Sequence, residues 1–217
     1  MTASNNLRAI ILGSGSSGGV PRFGGPDGDG DWGTCDPNEP KNRRSRCSLL
    51  LERTNGAGAK TSVLIDTSPD MRYQLLDARC GHLDAVLFTH HHADQCHGID
   101  DLRVFAISQR ARIPVFIDEA TGGEILRRFD YCFKQKPGSF YPPILDHRVM
   151  PAYGEAFAID GPGGPMPVTA FCSSTAASIR SAFARATSLI RATSSACPKK
   201  ASRCSKASAH GLSTRCR

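Results

Sequence analysis

The last 46 residues of this 217-residue chain, Cys172–Arg217, contain no aspartate, glutamate, tryptophan or tyrosine. They hold 9 lysines and arginines, while Met1–Phe171 holds 18 basic and 20 acidic residues. The formal net charge of +7 therefore belongs to the C-terminal stretch. A nucleic-acid or acidic-membrane partner inferred from the total charge would be an artefact of averaging. The nine cysteines form no C-x-x-C, and the five in Met1–Phe171 (Cys35, Cys47, Cys80, Cys96, Cys132) are an odd number. A disulfide framework is thus not expected, and a reduced, cytoplasmic chain is. No apolar run approaches the length of a membrane span. Met1–Leu12 carries one basic residue and lacks the apolar core of a secretory leader. No G-K-[S/T] accompanies the glycine-rich segment, which excludes a nucleotide P-loop. The length suffices for one α/β domain with a sizeable core.

The stretch that organises the chain is Phe88–Asp101, FTHHHADQCHGIDD, with four of the seven histidines within eight positions. Before it, Asp84–Thr89 is a short apolar run with the character of a buried parallel strand. After it, GIDDLRVFAISQR places apolar residues at Ile99, Leu102, Val104, Phe105, Ala106 and Ile107, a pattern that predicts an amphipathic helix with carboxylates in its first turn. The cluster thus sits where a strand ends and a helix begins, the place where open α/β architectures carry their chemistry. In extended backbone His90 and His92 project to one side, Asp94 continues the row, and His91 points elsewhere. Imidazole and carboxylate suit borderline cations such as Zn²⁺ and Mn²⁺. His90, His92 and Asp94 are therefore candidate ligands of one pocket. A solvated polar loop, or an aspartate capping a helix, is the plainer alternative.

T-H-x-H-x-D after an apolar strand resembles the metal-binding signature of metallo-β-lactamase fold hydrolases. The longer run THHHADQCHGIDDLR, with the N-terminal ILGSGSSGGVP, resembles the phosphoribosyl cyclic phosphodiesterases of phosphonate breakdown and their relatives. The likeness covers Leu7 to Phe171, about three-quarters of the chain. It implies an αββα sandwich and two divalent ions in an intact homologue, Zn²⁺ or Mn²⁺. His90 and His92 would hold one ion, and Asp94, also the catalytic candidate, would hold the other with His97 or Gln95. Gln95 is a departure, because many family members carry histidine directly after the aspartate. The resemblance also gives Asp66, at the end of a strand, the role of bracing the metal-binding loop. A structural zinc bound through several cysteines in some relatives is not expected, since Cys35 stands alone in the matching region.

The remaining readings follow the chain. Leu7–Leu12 is a first strand running into Gly13–Gly33, where GSGSSGG could offer backbone N–H groups to a phosphate. Ser14 and Ser16 are candidate substrate contacts there. Lys41–Arg46 contains four basic residues, and Arg43, Arg44 or Arg46 could hold an anionic substrate; Arg46 is the one selected. Cys47–Arg53 and Lys60–Asp66 read as a hairpin. Ser68 and Pro69 open a helix, with Ser68 as its cap. Ile113–Asp118 is a strand, EATGGEILRRF a helix, and Tyr131–Pro151 an irregular segment. His147 lies there without a patterned partner and is left outside the site. Glu155–Asp160 and Met166–Phe171 read as two further short strands.

Residues 1–171 are thus read as the N-terminal part of the hydrolase domain, and 172–217 as a Ser-, Ala- and Arg-rich tail. Such a composition lacks the material for a core. It fits a disordered basic tail or a GC-rich coding sequence read out of frame, and the abrupt change favours the second. The resemblance implies a histidine shortly after Phe171, an aspartate on the next strand and a late histidine. The stretch has no aspartate, and its only histidine is His210 in a different setting. The chain is expected to carry half a metal site within an incomplete fold, with weak activity or none. The expected substrate is a small phosphorylated one. Thioesterase, lactonase and RNA-processing nuclease activities share H-x-H-x-D and remain open. So does a non-enzymatic fragment whose basic tail binds RNA. Oligomeric state is not specified.

Overall fold

The computed structural model describes residues 6–172 and 188–192. Three antiparallel strands come first: β1 (Asn6–Gly13), β2 (Ser48–Thr54) and β3 (Lys60–Ile65). The direction then changes. β4 (Ala85–Leu87), β5 (Ile113–Ile117) and β6 (Leu145–Val149) add in parallel, so the six-stranded sheet runs β1-β2-β3-β4-β5-β6. The crossovers carry α1 (Met71–Asp77), α2 (Ala93–Cys96), α3 (Leu102–Gln109), α4 (Glu119–Arg128) and α5 (Asp130–Phe133). A second sheet, β7-β8-β9, contains β7 (Ala156–Ile159), β8 (Met166–Cys172) and β9 (Ser188–Ala192); β7 is antiparallel to β8 and β9 parallel to it.

Period-two alternation divides the core between the two faces of the first sheet. Leu50, Leu64, Val86, Val115 and Leu145 point to the helices, where they meet Met71, Leu75, Leu102 and Ile125. Leu51, Val63, Ile65, Ala85 and Leu87 point the other way, onto Ile159, Met166, Val168 and Ala170 of the second sheet. The described residues therefore supply a helical layer and two sheets of the expected αββα order. Among them, no helix contributes to the core between the sheets. No helix of the described residues is long and apolar enough to cross a membrane.

Four departures from sequence expectation have physical causes. Tyr131–Pro151, read as irregular, holds all but the first residue of α5 and the whole of β6, because the aromatic and proline residues flank a short strand that pairs with β5 from Ile113↔Leu145 to Ile117↔Val149. The helix expected from Pro69 starts at Met71: Ser68 Oγ accepts from Asp70 N (3.1 Å), and Asp70 turns its own carboxylate elsewhere. Val104 and Ile107 of α3 face solvent, being 70% and 68% exposed, so only part of the apolar pattern on that helix packs inward. β9 lies within the stretch assigned to a tail. The rest of that stretch, with the out-of-frame reading, lies outside the described residues.

The strands β3 to β6 all run the same way, so their carboxyl ends share one edge of the sheet. Asp66 follows β3, Phe88–His92 follow β4 and Asp118 follows β5 along that edge.

Candidate metal centre

The chain leaves β4 at Phe88, whose N–H donates to Phe116 O (3.1 Å). His92 keeps extended backbone (φ −67°, ψ 154°), and α2 begins directly after it. Asp94 thus reaches its place through a helical turn and not by continued alternation. One ligand atom from each of His90, His92 and Asp94 lies within 4.8 Å of the others. The rings of His90 and His92 meet edge-on, 4.7 Å between centroids. His91 is not part of this group; its carbonyl accepts from Arg128 Nη1 (3.1 Å) and Cys96 Sγ (3.3 Å). Burial pushes the Cys96 thiol up to about 11, so this sulfur stays protonated and packs under the loop.

Asp66 anchors this arrangement. It is 3% exposed and has φ 61°, a left-handed conformation that aspartate tolerates better than most residues. Its Oδ1 accepts from Thr89 N (2.8 Å) and its Oδ2 from Thr89 Oγ1 (2.7 Å). Thr89 Oγ1 also lies 2.9 Å from His90 Nδ1. A hydroxyl has one proton. Given to an ionised Asp66, that proton leaves Oγ1 an acceptor, so Nδ1 of His90 must carry hydrogen and Nε2 keeps its lone pair. Burial, more than the adjacent His92, holds the His90 imidazole below its ordinary value, which keeps it neutral and able to ligate at pH 7. Burial likewise pushes the Asp66 carboxyl up to about 7, against the two bonds from Thr89 and with the help of the Asp94 charge.

Residues Asp66–Ser68 also pin the far side of the loop. Thr67 N donates to Gln95 O (2.7 Å), and Gly98 N donates to Thr67 O (2.9 Å). Gln95 is buried, 2% exposed, with Nε2 donating to Asp94 Oδ2 (3.0 Å). Its Oε1 is buried with no hydrogen-bond partner among the described residues. His97 lies outside the cluster; its ring is edge-on to Phe129 at 6.0 Å, and the residue is exposed.

The expected anion contacts are distributed differently. Arg46 is not free to grip a substrate, because its guanidinium is engaged by Asp70, Nε–Oδ2 3.0 Å and Nη2–Oδ1 2.6 Å, with the Arg46 N–H on Oδ2 at 2.8 Å. That bidentate pair raises the Arg46 pKa, to which the Asp94 charge also adds, and lowers that of Asp70. Arg46 is therefore a strut between the segment before β2 and the start of α1. Ser14 and Ser16 are exposed in the glycine-rich loop, which is tied to the same segment by Gly15 N on Ser45 O (2.8 Å) and by Val20 pairing with Arg44. Arg43 stacks over Trp32 (5.0 Å), and neither Arg43 nor Arg44 makes an ion pair among the described residues. His147 stays in the fold interior, with Nε2 beside Gly122 and its ring edge-on to Phe133.

Sequence reasoning missed Thr89 and Arg128. Thr89 was signalled by its place directly before His90; nothing local signalled Arg128, 37 residues from the carbonyl it holds.

The family model of the beta-lactamase superfamily domain matches residues 61–189. An octanoyltransferase of Porphyromonas gingivalis (strain ATCC BAA-308 / W83) is 38% identical over 141 residues, which is 64% of this chain and 26% of that protein. Among solved structures, a diphosphatase of the PhnP family is similar with a TM-score of 0.55 and 30% identity, covering 72% of this chain and 55% of that one. Zn(2+)-bound PqqB from Methylobacterium extorquens gives a TM-score of 0.47 and 19% identity, covering 69% of this chain and 47% of that one. The chain thus spans about a quarter of the curated relative and about half of these structures.

Proposed function

The chain belongs to the beta-lactamase superfamily, whose model matches more than half of it, and from that premise we propose that it is a metal-dependent phosphodiesterase acting on a small cyclic phosphate. The observation that carries the metal reading is the convergence of His90, His92 and Asp94 at the carboxyl edge of the sheet. Zn²⁺ and Mn²⁺ bind nitrogen and oxygen donors at about 2.0–2.2 Å, which sets ligand atoms around one tetrahedral ion roughly 3.3–3.6 Å apart. The donors of this cluster lie within 4.8 Å of one another, so the widest pair would close by about an ångström around an ion. A bound ion would supply Lewis acidity toward the phosphate and a water of lowered pKa.

The protein's own residues do the rest. With Asp66 ionised, Thr89 keeps the proton on His90 Nδ1 and leaves Nε2 the atom that would hold the ion, the outer bracing that ligating histidines require. Asp94 adds the negative charge that a pair of neutral imidazoles lacks. Ser14 and Ser16, on the exposed glycine-rich loop, donate to phosphate oxygens, and Arg43 or Arg44 offers the charge that Arg46 has committed to Asp70. A phosphate-bearing substrate in general is supported by the 30% identical diphosphatase over 72% of the chain; the cyclic phosphate is the narrower part of the proposal. The octanoyltransferase name describes a protein of which about three-quarters lies outside the match.

The test compares hydrolysis of a ribose cyclic phosphate and an acyl thioester by the Mn²⁺- or Zn²⁺-loaded chain. We expect slow phosphodiester turnover, lost on chelation and in His92→Ala. Thioester turnover without phosphodiester turnover would overturn the reading.

A further inference from the structure

We infer that this chain binds one metal ion and not two, and that Gln95 is the positioning residue that closes the second place. The inference rests on the metal reading above and deepens it.

The three gathered donors fit around a single ion. A second ion, about 3.5–4 Å from the first in two-metal sites, needs donors of its own. Groups beside the cluster are engaged elsewhere or stand outside it. Both oxygens of Asp66 are held by Thr89. Cys96 Sγ is taken up by His91 O at 3.3 Å. His97 lies against Phe129. Among the described residues, His90, His92 and Asp94 form the only group with metal-holding geometry. After Cys172 the sequence offers no carboxylate and one histidine, His210.

Gln95 decides the matter at Asp94. Its Nε2 donates to Asp94 Oδ2, so the flank of the carboxylate that faces Gln95 meets the positive edge of an amide. A cation entering there would encounter that N–H head-on. Turning the amide over would bring Oε1 against an ionised carboxylate, so the observed orientation is the stable one in the absence of a cation. The buried Oε1 without a hydrogen-bond partner marks this as a tolerated cost of the arrangement. Gln95 cannot move aside, because it is 2% exposed and its carbonyl is fixed by Thr67 N.

The experiment is titration of the full chain with Mn²⁺, an ion that thiolates hold poorly, read by calorimetric stoichiometry and by Mn²⁺ electron paramagnetic resonance. One ion per wild-type chain is expected. Gln95→His, which replaces the amide by a ligand, should raise the count toward two. Gln95→Glu does the same with a side chain of the original shape and serves if the histidine variant does not fold. Two ions in the wild-type chain would overturn the inference while leaving the metal reading intact. One ion in the wild type and in both folded variants would remove Gln95 as the cause. No ion at all would overturn the metal reading itself.

Discussion

At the scale of the residue, the pair Asp66–Thr89 sets the chemistry of His90. Asp66 titrates at about 7 in the folded chain and at 3.8 when exposed. Between these values the folded state holds a proton that the unfolded state has released. The contribution of Asp66 to the stability of the metal-free chain therefore falls as pH rises from about 4 to about 7 and is flat above. Urea midpoints against pH, in chelator, should show this decline in the wild type and lose that component in Asp66→Asn. Metal binding runs the opposite way, because only the ionised carboxylate makes Thr89 an acceptor for His90 Nδ1–H. Mn²⁺ affinity should rise through pH 7 in the wild type and lack that step in Asp66→Asn. Thr89→Val keeps the shape and removes the hydroxyl. It should weaken Mn²⁺ binding by about 10–100-fold while the chain stays folded, a difference that calorimetry resolves.

At the scale of the element, the loop between β4 and α3 is held by close backbone approach as much as by side chains. A Cβ on Gly98 would collide with the Ser68 carbonyl and lie 3.1 Å from Thr67 O, so nothing flexible can give way. Gly98→Ala should cost roughly 1–3 kcal/mol and loosen metal binding, since the displaced segment adjoins Asp66. Helix α4 presents the contrary case. Asp118 caps it well, with Oδ1 accepting from Ala120 N and Thr121 N at 3.0 Å, yet Gly122 and Gly123 interrupt its second turn. Gly122 lies against His147, but a Cβ on the exposed Gly123 would meet nothing within 4 Å. Gly123→Ala should stabilise the chain by about 1 kcal/mol, visible as a higher melting temperature.

At the scale of the whole molecule, among the described residues the second sheet packs on the middle of the first and not on β1. Register puts Ala9 opposite Leu51 and Ile11 opposite Leu49, so Leu7, Ala9 and Ile11 share the face that packs on the second sheet further along. Leu7 is 38% and Ile11 56% exposed. Among the described residues β1 is also an edge strand, with unpaired backbone groups beside this apolar row. Such an edge recruits other chains. The chain should associate as its concentration rises, and Ile11→Lys should suppress this in light scattering without altering Mn²⁺ stoichiometry.

Local sequence determined much of this. Strand positions, the hairpin β2–β3 and the grouping of His90, His92 and Asp94 follow from periodicities of two and 3.6, which are properties of neighbouring residues and legible in them. The helix in α3 was legible for the same reason, though its outward Val104 and Ile107 were not. Tertiary structure alone decided partners distant in sequence. Arg46 took Asp70, 24 positions away, as the partner of its guanidinium. Thr89 joined Asp66 across 23 positions and acquired control of a histidine tautomer. β6 formed in a proline-rich stretch because β5 offered it an edge. His97, close to the cluster in sequence, was carried off by the turn of α2 and packed against Phe129. Alternation and helical period specify which way a side chain points from its own element; which group it meets depends on how the elements pack, and that is a property of the assembled sheet and not of any window of the chain.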